Sequence, residues 1–297
     1  MKYAFFTGCF IPARLPHLEY VARKTLPELG VELVDLQGFT CCPEPVGFLT
    51  DHLTSLALAA RNIAVAEEAG LDLLTICNGC TYTLRQANQA LKGDESLRAR
   101  VNGIIGGTGH EFRGTVEVRH FAHVLSREVG ASTIEERVKK PLTGIRVAAH
   151  PGCHILSPPE AMGFDQDVYD PRVLDSLVSA LGAEPIDWDH KTLCCGWTLT
   201  NYDNAREPAS HLISTKLESM RAGGADCSAV ICPQCFYQLD TGQMLAAREK
   251  EIGYKIPTLF YLQLLSMALG HGIEESNLRS HRVREPALEE KLGRCIA

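Results

Sequence analysis

Side-by-side cysteines are uncommon, and this chain has them twice: Cys41 and Cys42 in "GFTCCPEPVG", and Cys194 and Cys195 in "KTLCCGWTLT". Adjacent cysteines seldom bond to each other, because the small ring they would close strains normal disulfide geometry. Each doublet belongs to a larger set. Cys9 is followed after 31 residues by Cys41 and Cys42, and after 34 more by Cys77 and Cys80 in a C-x-x-C pair. Cys153 is followed after 40 residues by Cys194 and Cys195, and after 36 more by Cys232 and Cys235 in a second C-x-x-C pair. Ten of the twelve cysteines are accounted for, and Cys227 and Cys295 stand outside both sets. A pattern of five that occurs twice marks a duplicated unit.

Four chemistries could use such thiols. Buried structural cysteine is common, but it does not predict a repeated set of five. Disulfides belong to exported proteins, and the opening "MKYAFFTGCF" has no signal peptide. Zinc accepts C-x-x-C pairs but takes four ligands in a tetrahedron, so five thiolates overfill it. An iron–sulfur cluster is larger, and neighbouring cysteines can reach different irons of it. An ordinary cubane also takes four cysteines, so the fifth suggests an unusual cluster that can bridge irons or meet a substrate sulfur. Iron–sulfur is the reading the spacing favours.

The elements that must position these thiols also repeat. "KYAFFTGC" and "IRVAAHPGC" are short apolar runs ending at a cysteine, as are "LLTICNGC" and "SAVICPQC". "VELVDLQGFTCC" and "EPIDWDHKTLCC" read as weaker strands. Between them "LEYVARKTLPELG", "LTSLALAARNIAVAEEAG", "RVLDSLVSALG" and "ASHLISTKLESMRAGG" have helical patterning and close with glycine. Strands alternating with helices predict an α/β fold: two duplicated Rossmann-like βαβ domains, related by a pseudo-twofold axis. Every cluster site then falls at the C-terminal ends of strands, where open parallel sheets bind ligands. The boundary is expected near residue 143, in "RVKKPLTGIRV", dividing residues 1–143 from 144–297. The stretch from "HGIEESNLRSHRVREP" onward reads as a charged docking tail.

Composition narrows the rest. The 297 residues are 45% hydrophobic with a formal net charge of -7, enough for two cored domains. No basic patch invites nucleic acid, and no apolar run has the length of a membrane span. A cytoplasmic protein docked on larger partners is expected.

Cys, a spacer, Cys-Cys, a spacer and C-x-x-C together resemble the cysteine-rich CCG domain. Two copies in one chain resemble the B subunit of heterodisulfide reductase, over nearly the whole length from "MKYAFFTGC" through "VEVRHFAHVL" and "GCHILSP" to "ICPQC". The resemblance implies two noncubane [4Fe-4S] clusters. Cys9, Cys41, Cys42, Cys77 and Cys80 would hold one, and Cys153, Cys194, Cys195, Cys232 and Cys235 the other. It implies a disulfide cleaved between them, or formed in the reverse, thiol-oxidising direction. The substrate would be the heterodisulfide of coenzyme M and coenzyme B, or a small thiol or lipoate-bearing carrier. Electrons would come from the iron–sulfur C subunit of such a complex, itself fed by the flavin-containing, iron–sulfur A subunit. The resemblance also implies a catalytic role for His154, beside Cys153, as proton donor. The alternatives are a non-catalytic iron–sulfur electron-transfer subunit and a zinc-stabilised scaffold.

The halves differ. Pro43 follows the first doublet and Gly196 the second. Glycine permits close backbone approach, whereas proline removes an N–H that could bond to sulfur. Trp197, Thr198, Leu199 and Thr200 follow Gly196, and their bulk should reshape the pocket or pack in the core. An anionic substrate would need lysines or arginines that the sequence does not single out. His120 and His123 read as a packed pair rather than metal ligands, His150 as a strand residue near the second set, Cys227 as a buried small residue and Cys295 as part of a mobile end.

Overall fold

A computed structural model describes residues 1–45, 50–250 and 252–297, apart from the side chains of residues 201 and 203. The first sheet contains β1 (Lys2–Phe6), β2 (Glu32–Val34), β3 (Leu73–Thr75) and β4 (Val118–His120), in the order β2-β1-β3-β4. The second contains β5 (Arg146–His150), β6 (Glu184–Pro185), β7 (Cys227–Val230) and β8 (Thr258–Phe260), in the order β6-β5-β7-β8. All pairings are parallel, and Ala4 faces Leu73 as Val147 faces Cys227. The two halves therefore have one topology, and it is the α/β class the alternation predicted.

Burial explains which sequences read clearly. β3 and β7 are buried throughout and β1 and β5 at every position but the first, as parallel strands covered on both faces must be. The weaker runs form the edges: β2 and β6 have only three and two residues and are partly exposed.

Nine helices matter for the site: α1 (Phe10–Arg14), α2 (Pro16–Thr25), α3 (His52–Glu68), α4 (Asn78–Gly93), α5 (Val173–Ser179), α6 (Arg206–Ala222), α7 (Pro233–Tyr237), α8 (Tyr261–Ala268) and α9 (Pro286–Ile296). The Asp51 carboxylate accepts the Thr54 N–H at 3.0 Å and starts α3. Five alanines on α3 are buried, so its backbone lies close to its neighbours. α2 packs on α8 across the two halves, and Lys24 pairs with Glu275 at 2.6 Å beside that contact.

The C-terminal segment does not trail away as the docking tail its charge suggested. The Asp240 carboxylate accepts the N–H groups of Arg282 and Val283. Leu288 and Leu292 of α9 enter the core, at 4% and 0% exposure. Cys295 packs with them, its thiol donating to the Thr143 carbonyl. The charges lie on the outer face of an amphipathic helix.

Leu292→Ala should lower the unfolding free energy by roughly 2–5 kcal/mol, measured by urea denaturation; a free tail would tolerate it. A pH dependence is also expected from His17 of α2 and His281, whose rings lie 6.2 Å apart with Phe236 against both. Burial pushes His17 down to about 4. Burial first, then the neighbouring His17 and Arg284, pushes His281 down to about 3. Below a pH of about 6.5 the unfolded chain takes up protons that these folded rings refuse. Stability should therefore be full above that pH and fall as pH drops toward 4. His281→Gln should make the fall shallower by up to about 1.4 kcal/mol per pH unit, read from urea midpoints between pH 7.5 and 5, values that bracket the onset of this uptake.

Candidate metal-cluster site

Strand ends place the thiols. Cys9 follows β1 and caps α1; Cys77 follows β3 and caps α4; Cys232 follows β7 and caps α7. Cys80 and Cys235 lie in the first turns of α4 and α7. Helix N-termini carry partial positive charge and favour thiolates and anionic clusters there. The doublets come from the loops that follow the two short edge strands, β2 and β6.

The ten thiols form one continuous ladder. Cys9 Sγ lies 3.5 Å from Cys41 Sγ, Cys41 contacts Cys42, and Cys42 Sγ lies 3.2 Å from Cys80 Sγ. Cys80 contacts Cys77, and Cys77 contacts Cys232 of the other half. From there the order reverses: Cys232, Cys235, Cys195, Cys194 and then Cys153, 3.9 Å from Cys194. The sequence of C-x-x-C pair, doublet and single cysteine is thus read outward from the centre in both directions.

Crowding sets the protonation. Hydrogen bonds shared with Cys41 and then Cys80 hold Cys42 down to about 5. Those with Cys153 and Cys195 hold Cys194 down to about 2. Their neighbours are pushed up, Cys195 to about 12, because they keep the shared protons. A set of thiols that must share protons in this way is satisfied when metal replaces the protons.

The backbone before each set is packed too closely against its thiols to carry a side chain. Gly8 and Gly152 precede the first cysteine of each set with φ of 67° and 86°. A Cβ on Gly8 would meet Cys80 Sγ at 2.9 Å, and one on Gly152 would meet Asn78 Nδ2 at 2.7 Å and Cys235 Sγ at 3.2 Å. Both glycines are needed for conformation and for clearance. Among the described residues no three Cys, His, Asp or Glu side chains surround a single-ion position. Five thiols in each set fit a cluster of several metal atoms better than one four-coordinate zinc ion.

The doublet asymmetry is visible in the backbone. The Gly196 N–H donates to Cys194 Sγ at 3.3 Å. Pro43 occupies the matching position after Cys42 and has no N–H to give.

Residues that the spacing did not single out tie the halves together. The Asn78 side-chain amide donates to the Pro151 carbonyl at 2.7 Å, and its backbone N–H reaches the Cys232 sulfur. Reciprocally, Gln234 donates to Glu44 at 3.3 Å. Both are the variable residues of a C-x-x-C pair, and that position was the available signal. Phe10, Trp197 and Tyr237 form a cross-half aromatic group with centroids 4.9 to 5.6 Å apart. His154 rests against Tyr82 of the first half, centroids 5.0 Å apart, with Nδ1 3.9 Å from Cys153 Sγ.

Behind the second set lies a buried ammonium. Lys216 of α6 donates to the His190 carbonyl at 2.7 Å, and its Nζ lies 3.4 Å from His150 Nδ1 and over the Trp188 ring. Burial lowers its pKa to about 8, against the pull of Cys195, Cys235, Cys194 and Cys153. In the first half Asn62 of α3 stands at the matching position, eight residues before the closing Gly70 as Lys216 is before Gly224. Asn62 donates to the Cys41 carbonyl at 3.1 Å. One set is backed by an amide and the other by a cation.

Of the remaining candidates, His120 lies within electrostatic reach of Cys232 and bonds the Ile231 backbone, while His123 and Cys227 pack elsewhere. His120 ends β4 and accepts the Ala122 N–H, His123 packs on Phe164, and Cys227 is wholly buried in β7.

The two sets open differently. All five first-set cysteines line a cavity of about 380 Å³, walled also by Phe10, Ile11, Trp197 and Tyr202. Over the second set only about 20 Å³ remains, between Cys153, His154, Cys194 and Trp197. Trp197, Thr198 and Gln234 line both, so they form the partition. Among the described lining residues of either cavity there is no lysine or arginine, so the expected cationic contacts to an anionic substrate are absent.

Gly152→Ala should lower the iron and acid-labile sulfide content of anaerobically purified protein by about half, while the matching loss at the other set should follow from Gly8→Ala. Full metal content in both variants would show that the glycines do not make room for a cluster.

Comparison with known proteins agrees with this arrangement. The cysteine-rich domain family (CCG) matches residues 3–85 and again 147–240. The chain is 36% identical over 284 residues to the B subunit of the ferredoxin/F(420)H(2)-dependent CoB-CoM heterodisulfide reductase of Methanosarcina acetivorans, covering 95% of this chain and 94% of that one. It is 35% identical to a protein of Archaeoglobus profundus described as like the B subunit of heterodisulfide reductase, covering 93% of each. It is also 31% identical to the 8-methylmenaquinol:fumarate reductase membrane anchor subunit of Wolinella succinogenes, covering 95% and 96%. A hypothetical protein from Helicobacter pylori has the same fold, with a TM-score of 0.74 at 15% identity, over 96% of this chain and 52% of its own. With the two domain matches, the thiol ladder and full-length similarity together, the chain belongs to the family of heterodisulfide reductase B subunits.

Proposed function

We propose that this chain is the catalytic subunit of a heterodisulfide reductase-like complex, binding one noncubane [4Fe-4S] cluster at each five-cysteine set and cleaving or forming a disulfide. The observation that carries this is the palindromic ladder, which brings two complete thiol sets together across one partition. Cleavage consumes two electrons and two protons and turns R–S–S–R′ into RSH and R′SH; formation runs the same balance backwards. When bound, the clusters would supply electrons one at a time and a metal surface for sulfur.

The protein's own residues do the rest. The cavity over the first set admits and orients the substrate. Trp197, Thr198 and Gln234 separate it from the second set and keep water out of the enclosed side. His154, held against Tyr82, would deliver a proton to the departing thiolate. Partners would supply or accept the electrons, by the family's assembly the iron–sulfur C subunit and the flavin-containing A subunit. The Wolinella relative, named as part of a fumarate reductase, favours a second reading: an iron–sulfur electron-transfer subunit of a larger oxidoreductase.

The test is electron paramagnetic resonance of the oxidised, anaerobically purified protein with and without thiols. A signal that appears only with thiol supports direct sulfur binding; iron and sulfide without a thiol response support the electron-transfer reading. His154→Gln should leave metal content unchanged and slow disulfide cleavage by roughly 10²-fold or more, with the loss greatest at high pH, where free protons are scarce.

A further inference from the structure

The cavity over the first cysteine set describes its occupant. The cysteines form its floor, where a cluster would sit. The rest of the wall is mostly apolar, with Phe10, Ile11, Pro45, Pro233, Trp197 and Tyr202, its neutral polar groups are Thr7, Thr198 and Gln234, and the single ionisable side chain besides the thiols and the Tyr202 phenol, among the described residues, is Glu44. The chain has no lysine or arginine between Lys24 and Arg61, the stretch that carries Cys41, Cys42 and Glu44. An ionised sulfonate, phosphate or carboxylate entering here would lose its hydration without gaining a counter-ion. It would also face the Glu44 carboxylate. An uncharged chain would gain contact with three aromatic rings and the aliphatic side chains beside them.

We propose that the substrate moiety entering this cavity is an electroneutral, largely apolar thiol or disulfide, and that Glu44 and the aromatic wall reject anionic thiols. This rests on the reading of the chain as a thiol/disulfide oxidoreductase. The wall is held in place from both halves: Phe10 comes from α1, Trp197 from the loop after the second doublet, and Tyr237 from α7 packs edge-to-face against both. Glu44 is fixed by Gln234 of the second C-x-x-C pair. The selectivity is therefore set where the halves meet, and the bulk of Trp197 is part of it.

Dithiodipropionamide and dithiodipropionate have the same skeleton and differ in charge, and cystamine adds the cationic case. Binding of each to the metal-loaded protein would be measured by calorimetry without reductant. The amide should bind at least about tenfold more tightly than the dicarboxylate. Glu44→Gln should narrow that ratio several-fold, and Glu44→Lys should narrow it further or reverse it. A dicarboxylate that binds as well as the amide, a ratio unmoved by both Glu44 variants, or cystamine outranking the amide would each overturn the assignment. Turnover of the same compounds with a low-potential dye as electron donor separates the two levels. An amide that binds selectively and is never cleaved removes the disulfide reading and leaves the cavity's selectivity. Preferential cleavage of the dicarboxylate does the opposite.

Discussion

The meeting of Cys77 with Cys232 is the contact on which the rest of the molecule depends. Each residue ends a central strand and starts a helix, so its position is fixed by a buried sheet on one side and a helix N-terminus on the other. Joining them aligns two thiol sets into a single ladder and forces Asn78 and Gln234 to lie across the boundary. The partition, the aromatic wall and the placement of His154 against Tyr82 all follow from that alignment. Neither half could tilt far without pulling sulfur away from sulfur.

How much of this is legible in the residues depends on how far each signal reaches along the chain. β1, β3, β5 and β7 are apolar runs that end at cysteines, and they stand out because burial on both faces leaves no polar interruption. β2 and β6 are shorter than their sequences suggest, because an edge strand of two or three residues blends into the loop carrying the doublet. β8 leaves no pattern, since "TLF" is too short to show a period. The charged C-terminal stretch misleads for a different reason: charge reports the outer face of a helix, and Leu288 and Leu292 on its inner face decide its packing. The ten cysteines that meet in the ladder are legible in the spacing, and His154 is singled out by the resemblance alone. Asn78, Gln234, Tyr82 and Lys216 are not, because their importance comes from contacts between halves or between distant elements, and single-sequence patterning carries no such information.

The halves share a topology but have diverged in electrostatics. One doublet has a backbone N–H directed at sulfur and a buried ammonium behind it; the other has a proline and an amide. A cation and an extra hydrogen bond both stabilise negative charge on nearby sulfur, so the second set is the better host for it. The same half is the enclosed one, and the first is open and apolar. Under the proposed function, substrate entry and charge storage would be divided between two copies of one design.

A ladder that reads the same from its centre in both directions has an architectural implication. The surface each half presents to the other is the same surface, used face to face, which is the rule for a twofold-symmetric pair of identical chains. A half on its own would expose its C-x-x-C loop, and a second copy of that half has the matching surface to cover it. Fusing two copies into one polypeptide kept that pairing and freed the sequences from identity. Only then could a lysine appear behind one set alone, or a tryptophan follow one doublet and not the other.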